Sequence, residues 1–461
     1  MTRFSCSRSD SLALFVLMVS LYSLTFSGHL YTADGVLAYE TARSLAWKAS
    51  LEMPHSGFLT AMNTEGKPVS PYAWGQPILL VPFHWLGKGL GLLFADTPDG
   101  VEKWALTSVT FSSVLVGAFL VLAVQNLALA LGANRKGALF AAIAAGCGSF
   151  LWVYSQDLFR NPLAALFLTL SVAQVLRIHE QPHSLHLSGL FFLLLLQVRI
   201  DGILAAPFIL LWVVGSSMAN GEWRMADYFK WAKMRPVIVW AVWCFAGLGL
   251  WGLNNWIRFG NPFQHKMPGV AFSESLLVSI PGFLWSSNKS MFLYSPVLLL
   301  TLAAFPFLWR RRRTEALLIA AVSVAYLIWY GKFHHWFGGI CWGPRYTILF
   351  TPLLVSVIGP WLSEEIERIR WRWIVSWAVL AAGVFVQLPA LLVEQNAHPG
   401  LHHLGAIWED ILLGNLDPWW ARTWEWNPWW TAAGVVLLIT TAGIGARCLV
   451  REEEGGREVE G

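Results

Sequence analysis

The chain has 461 residues, of which 56% are hydrophobic and 13% charged, and its mean hydropathy is +0.52. A soluble domain carries about 25% charged residues, so a soluble enzyme is excluded, and repeated apolar runs of about 17–25 residues mark an all-α polytopic membrane protein. The net charge of +4 gives no basis for a nucleic-acid partner, and none is expected.

In chain order, spans are predicted over 11–27, 104–130, 137–154, 161–177, 186–198, 201–217, 236–254, 291–309, 315–331, 346–363, 374–393 and 430–447, about twelve in all. The first is read as a retained anchor, because it lacks a clear small-x-small cleavage site and many spans follow. The stretch 72–94, YAWGQPILLVPFHWLGKGLGLLF, is also apolar enough to cross. If it did not cross, Arg3, Arg8, Arg135, Lys136, the Arg224–Arg235 cluster, the RRRR of 310–313 and Arg368–Arg372 would share one side. If it crossed, RRRR would join Asp34 and the positive-inside bias would collapse. It is therefore placed as an interfacial or re-entrant element of the first outer loop. Pro77, Pro82 and its glycines suit a broken element.

The result is a single transmembrane domain over 1–450 with outer loops 28–103, 255–290, 331–345 and 394–428. The tail REEEGGREVEG, 451–461, has a disordered composition, and both termini are expected on the cytoplasmic side. Most of the 28 tryptophans read as interfacial belt residues. The five cysteines have no metal or disulfide spacing.

Polar residues with chemical potential gather at the outer ends of the spans. In GHLYTADGVLAYETARSLAW, Asp34 is placed as the N-cap of an amphipathic helix, with Val36, Leu37, Thr41 and Leu45 toward lipid and Glu40 and Arg43 toward water. A carboxylate at a helix N-terminus is held ionised by the helix dipole, which also suits a general base. YSQDLFRNP supplies Asp157 and Arg160, either as an interfacial ion pair or as a second acid with a cation for an anionic ligand. Lys67, in NTEGKPVSPY, is a solvated loop lysine or a cation for a lipid phosphate. HHWFGGICWGPRY brings His334, His335, Trp336, Trp342, Arg345 and Tyr346 together, as an aromatic belt or a ligand loop. Arg199 and Asp201 in VRID read first as a bundle lock. No glycine-rich nucleotide loop is visible, so a nucleotide substrate is not expected.

The outer loop headed by Asp34, then WGQPILLVPFHWLG, NWIRFGNPF and WFGGICWGPRYTILFTPLL, in this order over about residues 10–365, resembles the GT-C glycosyltransferases that use lipid-phosphate sugars. The likeness is nearest to bacterial members of the protein O-mannosyltransferase and aminoarabinose transferase group. It implies a multi-pass enzyme of the bacterial inner membrane that transfers a sugar from a polyprenyl-phosphate donor to a glycan, lipid or protein acceptor on the non-cytoplasmic face. It implies Asp34 as catalytic carboxylate, Asp157 as a second acidic residue, and Lys67 and Arg345 as phosphate-binding cations. Arg160, His335, Trp342 and Tyr346 are further substrate-binding candidates. Many relatives carry paired acids after the first span, whereas Gly35 follows Asp34 here. An obligatory divalent cation on Asp34 and Asp157 is therefore left open. The competing classes are a flippase of a lipid-linked anion, for which no pair of repeats with interrupted helices is visible, and a non-catalytic assembly partner.

Overall fold

A computed structural model describes residues 7–54, 59–218, 231–264, 271–364, 366–394, 400, 403–424 and 428–458. Arg3, Arg224 and residues 459–461 lie outside the described residues. The described secondary structure is helical apart from one antiparallel pair, β1 (Ala61–Met62) and β2 (Pro68–Val69). The chain is an all-α polytopic membrane protein.

Helix α1 (Arg8–Thr25) starts in a capping box: Ser7 accepts from the Asp10 N–H and Asp10 accepts from the Ser7 N–H. The segment that follows contributes α2 (Ala33–Lys48) and α3 (Gly75–Phe94). Next come α4 (Pro98–Ala130), α5 (Arg135–Cys147), α6 (Leu151–Tyr154), α7 (Arg160–Val175) and α8 (Ser184–Val198). A 3-10 turn (Ile200–Ala205) leads into α9 (Ala206–Met218), followed by α10 (Trp231–Phe259), α11 (Leu276–Trp285), α12 (Met291–Tyr294), α13 (Leu298–Arg311) and α14 (Arg313–Gly331). A second 3-10 turn (Arg345–Leu349) precedes α15 (Thr351–Ser356), α16 (Ile358–Trp361), α17 (Ile366–Leu392), α18 (Leu404–Leu413), α19 (Trp419–Trp424) and α20 (Pro428–Glu458). Every predicted span has a helical counterpart, several of them built from two short pieces. Helix α20 continues through Glu458, into the segment read from composition as a structureless tail.

Small residues let these helices approach closely, as expected where lipid supplies no hydrophobic driving force. A Cβ on Gly137 would lie 2.2 Å from the carbonyl oxygen of Gly359, so α5 and α16 touch backbone to backbone.

The two ends of the bundle differ in chemistry. At one end Arg135 holds Asp10 through Nε at 2.8 Å, and Arg312 caps the last turn of α4 by donating to the Ala130 carbonyl at 3.1 Å. Helix α1 runs antiparallel along α4 from this end: Ser11 donates to Gln125 at 3.2 Å, and Phe26 meets Phe111 edge-on at 5.6 Å. Residues 98–110 of α4 thus extend beyond the outer end of α1. That extension is where α3 packs.

Helix α3 is one of six described helices long and apolar enough to cross a bilayer. Its packing partners are as follows. Gln76 donates to the Leu158 carbonyl at 2.9 Å, in the tip between α6 and α7. Cβ atoms on Gly87 and Gly91 would meet Ala105 and Val101 at 2.6 and 2.8 Å, on the N-terminal stretch of α4. An unbroken α3 therefore starts level with the α6–α7 tip of the bundle and lies alongside the α4 extension. Pro82 lies inside the helix without ending it.

Candidate functional site

The N-terminus of α2 departs from expectation. Thr32, not Asp34, is the N-cap, with extended backbone (φ −127°, ψ 151°) and its hydroxyl accepting from the Gly35 N–H at 3.2 Å. The same hydroxyl donates to Asp157 Oδ2 at 2.9 Å. A hydroxyl can accept and donate at once where a carboxylate cannot. Asp34 sits within the first turn, free of capping duty. The lipid-facing pattern read for α2 is also altered. Leu37 and Thr41 are buried in the protein, as are Ala38, Tyr39 and Ala42 against Leu80, Val109 and Leu158. Val36 remains exposed, and Glu40 pairs with Arg43 at 3.6 Å.

Asp34 faces three other segments. Its Oδ1 accepts from the Tyr72 hydroxyl at 2.5 Å, and its Oδ2 lies 3.4 Å from an Arg345 guanidinium nitrogen. Burial alone would raise the Asp34 carboxyl, but Arg345, Arg160, the Tyr72 hydroxyl and Arg199 outweigh it and hold the group below the ordinary carboxylate value. Asp34 is therefore an ionised carboxylate at neutral pH.

Asp157 is fully buried. Its Oδ1 accepts from its neighbour's N–H (Leu158) at 2.7 Å. Burial pushes its carboxyl up to about 7; the donors Thr32, Leu158 and Tyr31 oppose this, and Asp34 reinforces it. Gly35 is what lets Asp157 come so close, because a Cβ there would lie 3.1 Å from Asp157 Oδ1. The glycine that breaks the paired-acid pattern in the sequence makes room for an acid from another segment.

Arg160 stacks on the Tyr72 ring, with its guanidinium carbon 3.4 Å from the centroid. Among the described residues it has no carboxylate partner, and its Nε is buried without a hydrogen bond. Arg345 keeps 23% of its side chain exposed, and its Nε is likewise unbonded. Two arginines with donors to spare thus flank one carboxylate.

Supporting contacts fix the geometry. Asn161 donates to the Arg345 carbonyl at 2.7 Å and accepts from Arg199 at 2.6 Å. Arg199 pairs with Asp201 at 2.8 Å, and Tyr330 donates to Asp201 at 2.6 Å. The VRID pair is therefore the lock between helices that the sequence suggested. Arg258 donates to the carbonyls of Ser70 and Tyr72 at 2.5 and 2.6 Å, which holds the turn that presents Tyr72.

The other candidates fall in different places. Tyr346 stacks on Tyr330 at 4.7 Å, and its hydroxyl lies 3.5 Å from Arg345, so it lines the cluster. Lys67 is exposed on the β1–β2 turn, where its ammonium pairs with Glu52 at 3.0 Å and Glu65 at 2.9 Å; it is not among the groups around Asp34. His335 is exposed and packs edge-on to His334 and Phe337. Trp342 corrects the reading of a ring available to a sugar. It is wholly buried, donates to Gln387 at 3.3 Å and meets Tyr294 edge-on at 5.1 Å. No face is left for a ligand. Tyr72, Thr32 and Asn161 escaped the sequence reading, since each is an ordinary polar residue whose partner lies far along the chain.

Asp34 and Asp157 spend their oxygens on Tyr72, Arg345, Thr32 and Leu158, and no group of three His, Cys, Asp or Glu gathers among the described residues. This donor set fits a divalent cation poorly without rearrangement.

No protein-family model and no curated protein matches this sequence. Solved structures do match in shape. ArnT from Cupriavidus metallidurans in the apo state superposes with a TM-score of 0.51 at 15% identity, covering 96% of this chain and 77% of ArnT. The chain shares the fold of ArnT. The same enzyme bound to undecaprenyl phosphate gives a TM-score of 0.50 at 15% identity, with 97% and 79% covered. A looser match, with a TM-score of 0.46 and 12% identity over 83% of this chain and 54% of the other, is the apo oligosaccharyltransferase of Archaeoglobus fulgidus. The GT-C resemblance read from the sequence thus holds at the level of the fold.

Proposed function

We propose that this protein is a membrane glycosyltransferase that moves a sugar from a polyprenyl-phosphate donor to an acceptor hydroxyl on the non-cytoplasmic face of a bacterial inner membrane, with both termini cytoplasmic. The observation that carries the reading is the cluster itself. An ionised Asp34 sits at one end of the bundle between Arg345 and Arg160, and among the described residues Arg160 has no carboxylate of its own. The ArnT fold, solved elsewhere with undecaprenyl phosphate, supports the choice of donor.

In the proposed reaction the donor phosphate is held by Arg160 and Arg345, whose free N–H groups match a phosphate bidentately. Asp34 takes the proton from the acceptor hydroxyl as its oxygen bonds to the anomeric carbon. The bond between that carbon and the phosphate oxygen breaks, and the electron pair leaves with the polyprenyl phosphate. The arginines stabilise the charge gathering there. Tyr72 orients Asp34 from beneath Arg160. Asp157 sits behind the α2 cap and fixes it through Thr32.

The direct test is incubation of purified protein with polyprenyl-phosphate sugars, scoring release of polyprenyl phosphate. Release dependent on acceptor supports the reading; an intact donor that merely changes leaflet would replace it with transport. Arg345→Lys is expected to weaken donor use by about 1.5–3 kcal/mol, roughly ten- to a hundredfold, because an ammonium cannot copy the planar fork that grips a phosphate bidentately. An unchanged KM for the donor would move the phosphate site away from Arg345.

A further inference from the structure

The loop that delivers Arg345 is wrapped around a buried cation. Lys289, in the short segment between α11 and α12, is 8% exposed. Its Nζ donates to the carbonyls of Gly339, Cys341 and Gly343 at 3.1, 2.8 and 3.2 Å, with Cys341 Sγ a further 3.5 Å contact. An ammonium has three N–H donors, and three carbonyls receive them. Among the described residues Lys289 has no carboxylate partner. The loop conformation depends on glycine: Gly338, Gly339 and Gly343 have φ of +77°, +78° and +65°, a region that side chains resist. Those turns bring alternate carbonyls to one point. Two residues later the chain emits Arg345. Gly338 also packs against it, since a Cβ there would lie 2.7 Å from Arg345 Cγ.

A buried ammonium is a costly way to fill space, because a methionine of similar length would carry no desolvation penalty. What the ammonium adds is direction. It forces three carbonyls of an otherwise irregular loop to converge, and so sets where the loop ends. We propose that Lys289 is a positioning residue for the donor site: its ammonium clasps the 339–343 carbonyls and thereby holds Arg345 at Asp34, ready for the lipid phosphate. The proposal rests on the donor reading above. Lys289 itself touches no substrate.

The experiment has two arms, run on the full chain with Cys6→Ser, Cys147→Ala, Cys244→Ala and Cys448→Ser as background, so that Cys341 is the one remaining thiol. Maleimide labelling of Cys341, which is 1% exposed, reads the clasp without reference to any ligand. Binding of polyprenyl phosphate reads its consequence. Lys289→Met is expected to expose Cys341 to labelling and to weaken lipid binding about tenfold, the size of one lost charge-assisted contact. In Lys289→Ala, added ethylammonium is expected to restore both readouts. Tetramethylammonium, which has no N–H, is expected to restore neither. This rescue separates positioning by hydrogen bonds from general loss of packing. Cys341 protected in Lys289→Met, unchanged lipid affinity in the same variant, or equal rescue by both cations would each overturn the proposal. If the parent protein does not bind polyprenyl phosphate, the donor reading and the assignment to a donor site fall together, while Cys341 labelling still shows whether the clasp exists.

Discussion

Asp34 and Asp157 are acids of opposite character separated by one turn of helix and a threonine. Asp34 is held ionised by cations, whereas Asp157 is pushed up to about 7 chiefly by burial. The difference gives each its own test. Because Thr32 caps α2, Asp34→Asn leaves the helix start intact. Its effect on stability should stay within about 1.5–3 kcal/mol, the cost of one charge-assisted contact. If Asp34 takes the acceptor proton, turnover should fall at least about a hundredfold. Near-normal turnover in a well-folded Asn variant would reduce Asp34 to a partner of Arg345. For Asp157 the folded-state carboxyl titrates above its unfolded value. It therefore contributes stability that is complete below the unfolded value, near 3.8, and is lost as pH rises through about 7. The unfolding free energy of the parent protein should fall between about pH 4 and pH 7, by up to about 1.4 kcal/mol per pH unit, and thermal midpoints should drop with it. Asp157→Asn should flatten that slope. A parallel decline in both proteins would mean that another group titrates.

Helix α2 shows what an element can carry when its first turn is read against the rest of the chain. Ala at Gly35 would gain up to about 1 kcal/mol of helix propensity. Its Cβ would also press on Asp157 at 3.1 Å and on Leu30 at 3.2 Å. Gly35→Ala is therefore expected to leave the melting temperature nearly unchanged and to lower transfer activity, because the strain falls on the acid rather than on the fold. Full activity would show that Asp157 needs no such approach. The elements themselves were legible in the sequence, since apolar runs of membrane length announce their helices. The acids and arginines of the candidate site were legible too, because only 13% of the residues are charged and four of them, Asp34, Asp157, Arg160 and Arg345, do converge. Their partners were not. Tyr72 meets Asp34 across 38 positions, Arg258 grips Ser70 across 188, and Lys289 closes its loop across 50 to 54. No periodicity encodes such pairings. Trp342 misled for the converse reason: an aromatic beside glycines looks like a ligand platform, and only the fold shows Tyr294 and Gln387 already occupying it.

At the scale of the molecule, sidedness decides whether these residues form one site. The length and apolarity of α3 allow a crossing, while its packing argues against one. It meets the Leu158 carbonyl, in the tip between α6 and α7, at its start, and Val101, on the extension of α4 past Phe111, near its end. A crossing at α3 would place Asp34 and the α3–α4 turn on opposite faces. It would also bring the Arg310–Arg313 turn, which here lies by Ala130 at the far end of α4, to the same face as Asp34. Moving that many arginines outward contradicts the bias that orients membrane proteins. Cysteines introduced one at a time at three exposed positions, Thr64→Cys, Asp96→Cys and Arg310→Cys, resolve the question on the Cys6→Ser, Cys448→Ser background, whose three remaining cysteines are buried. In intact cells, a membrane-impermeant maleimide is expected to label the cysteines at positions 64 and 96 alike. Position 310 should react only after the membrane is opened. Labelling of 64 and 96 from opposite sides would make α3 a span. It would also separate Tyr72 from the helices that carry Asp157 and Arg160, and the cluster proposed as the donor site could not then exist as a unit.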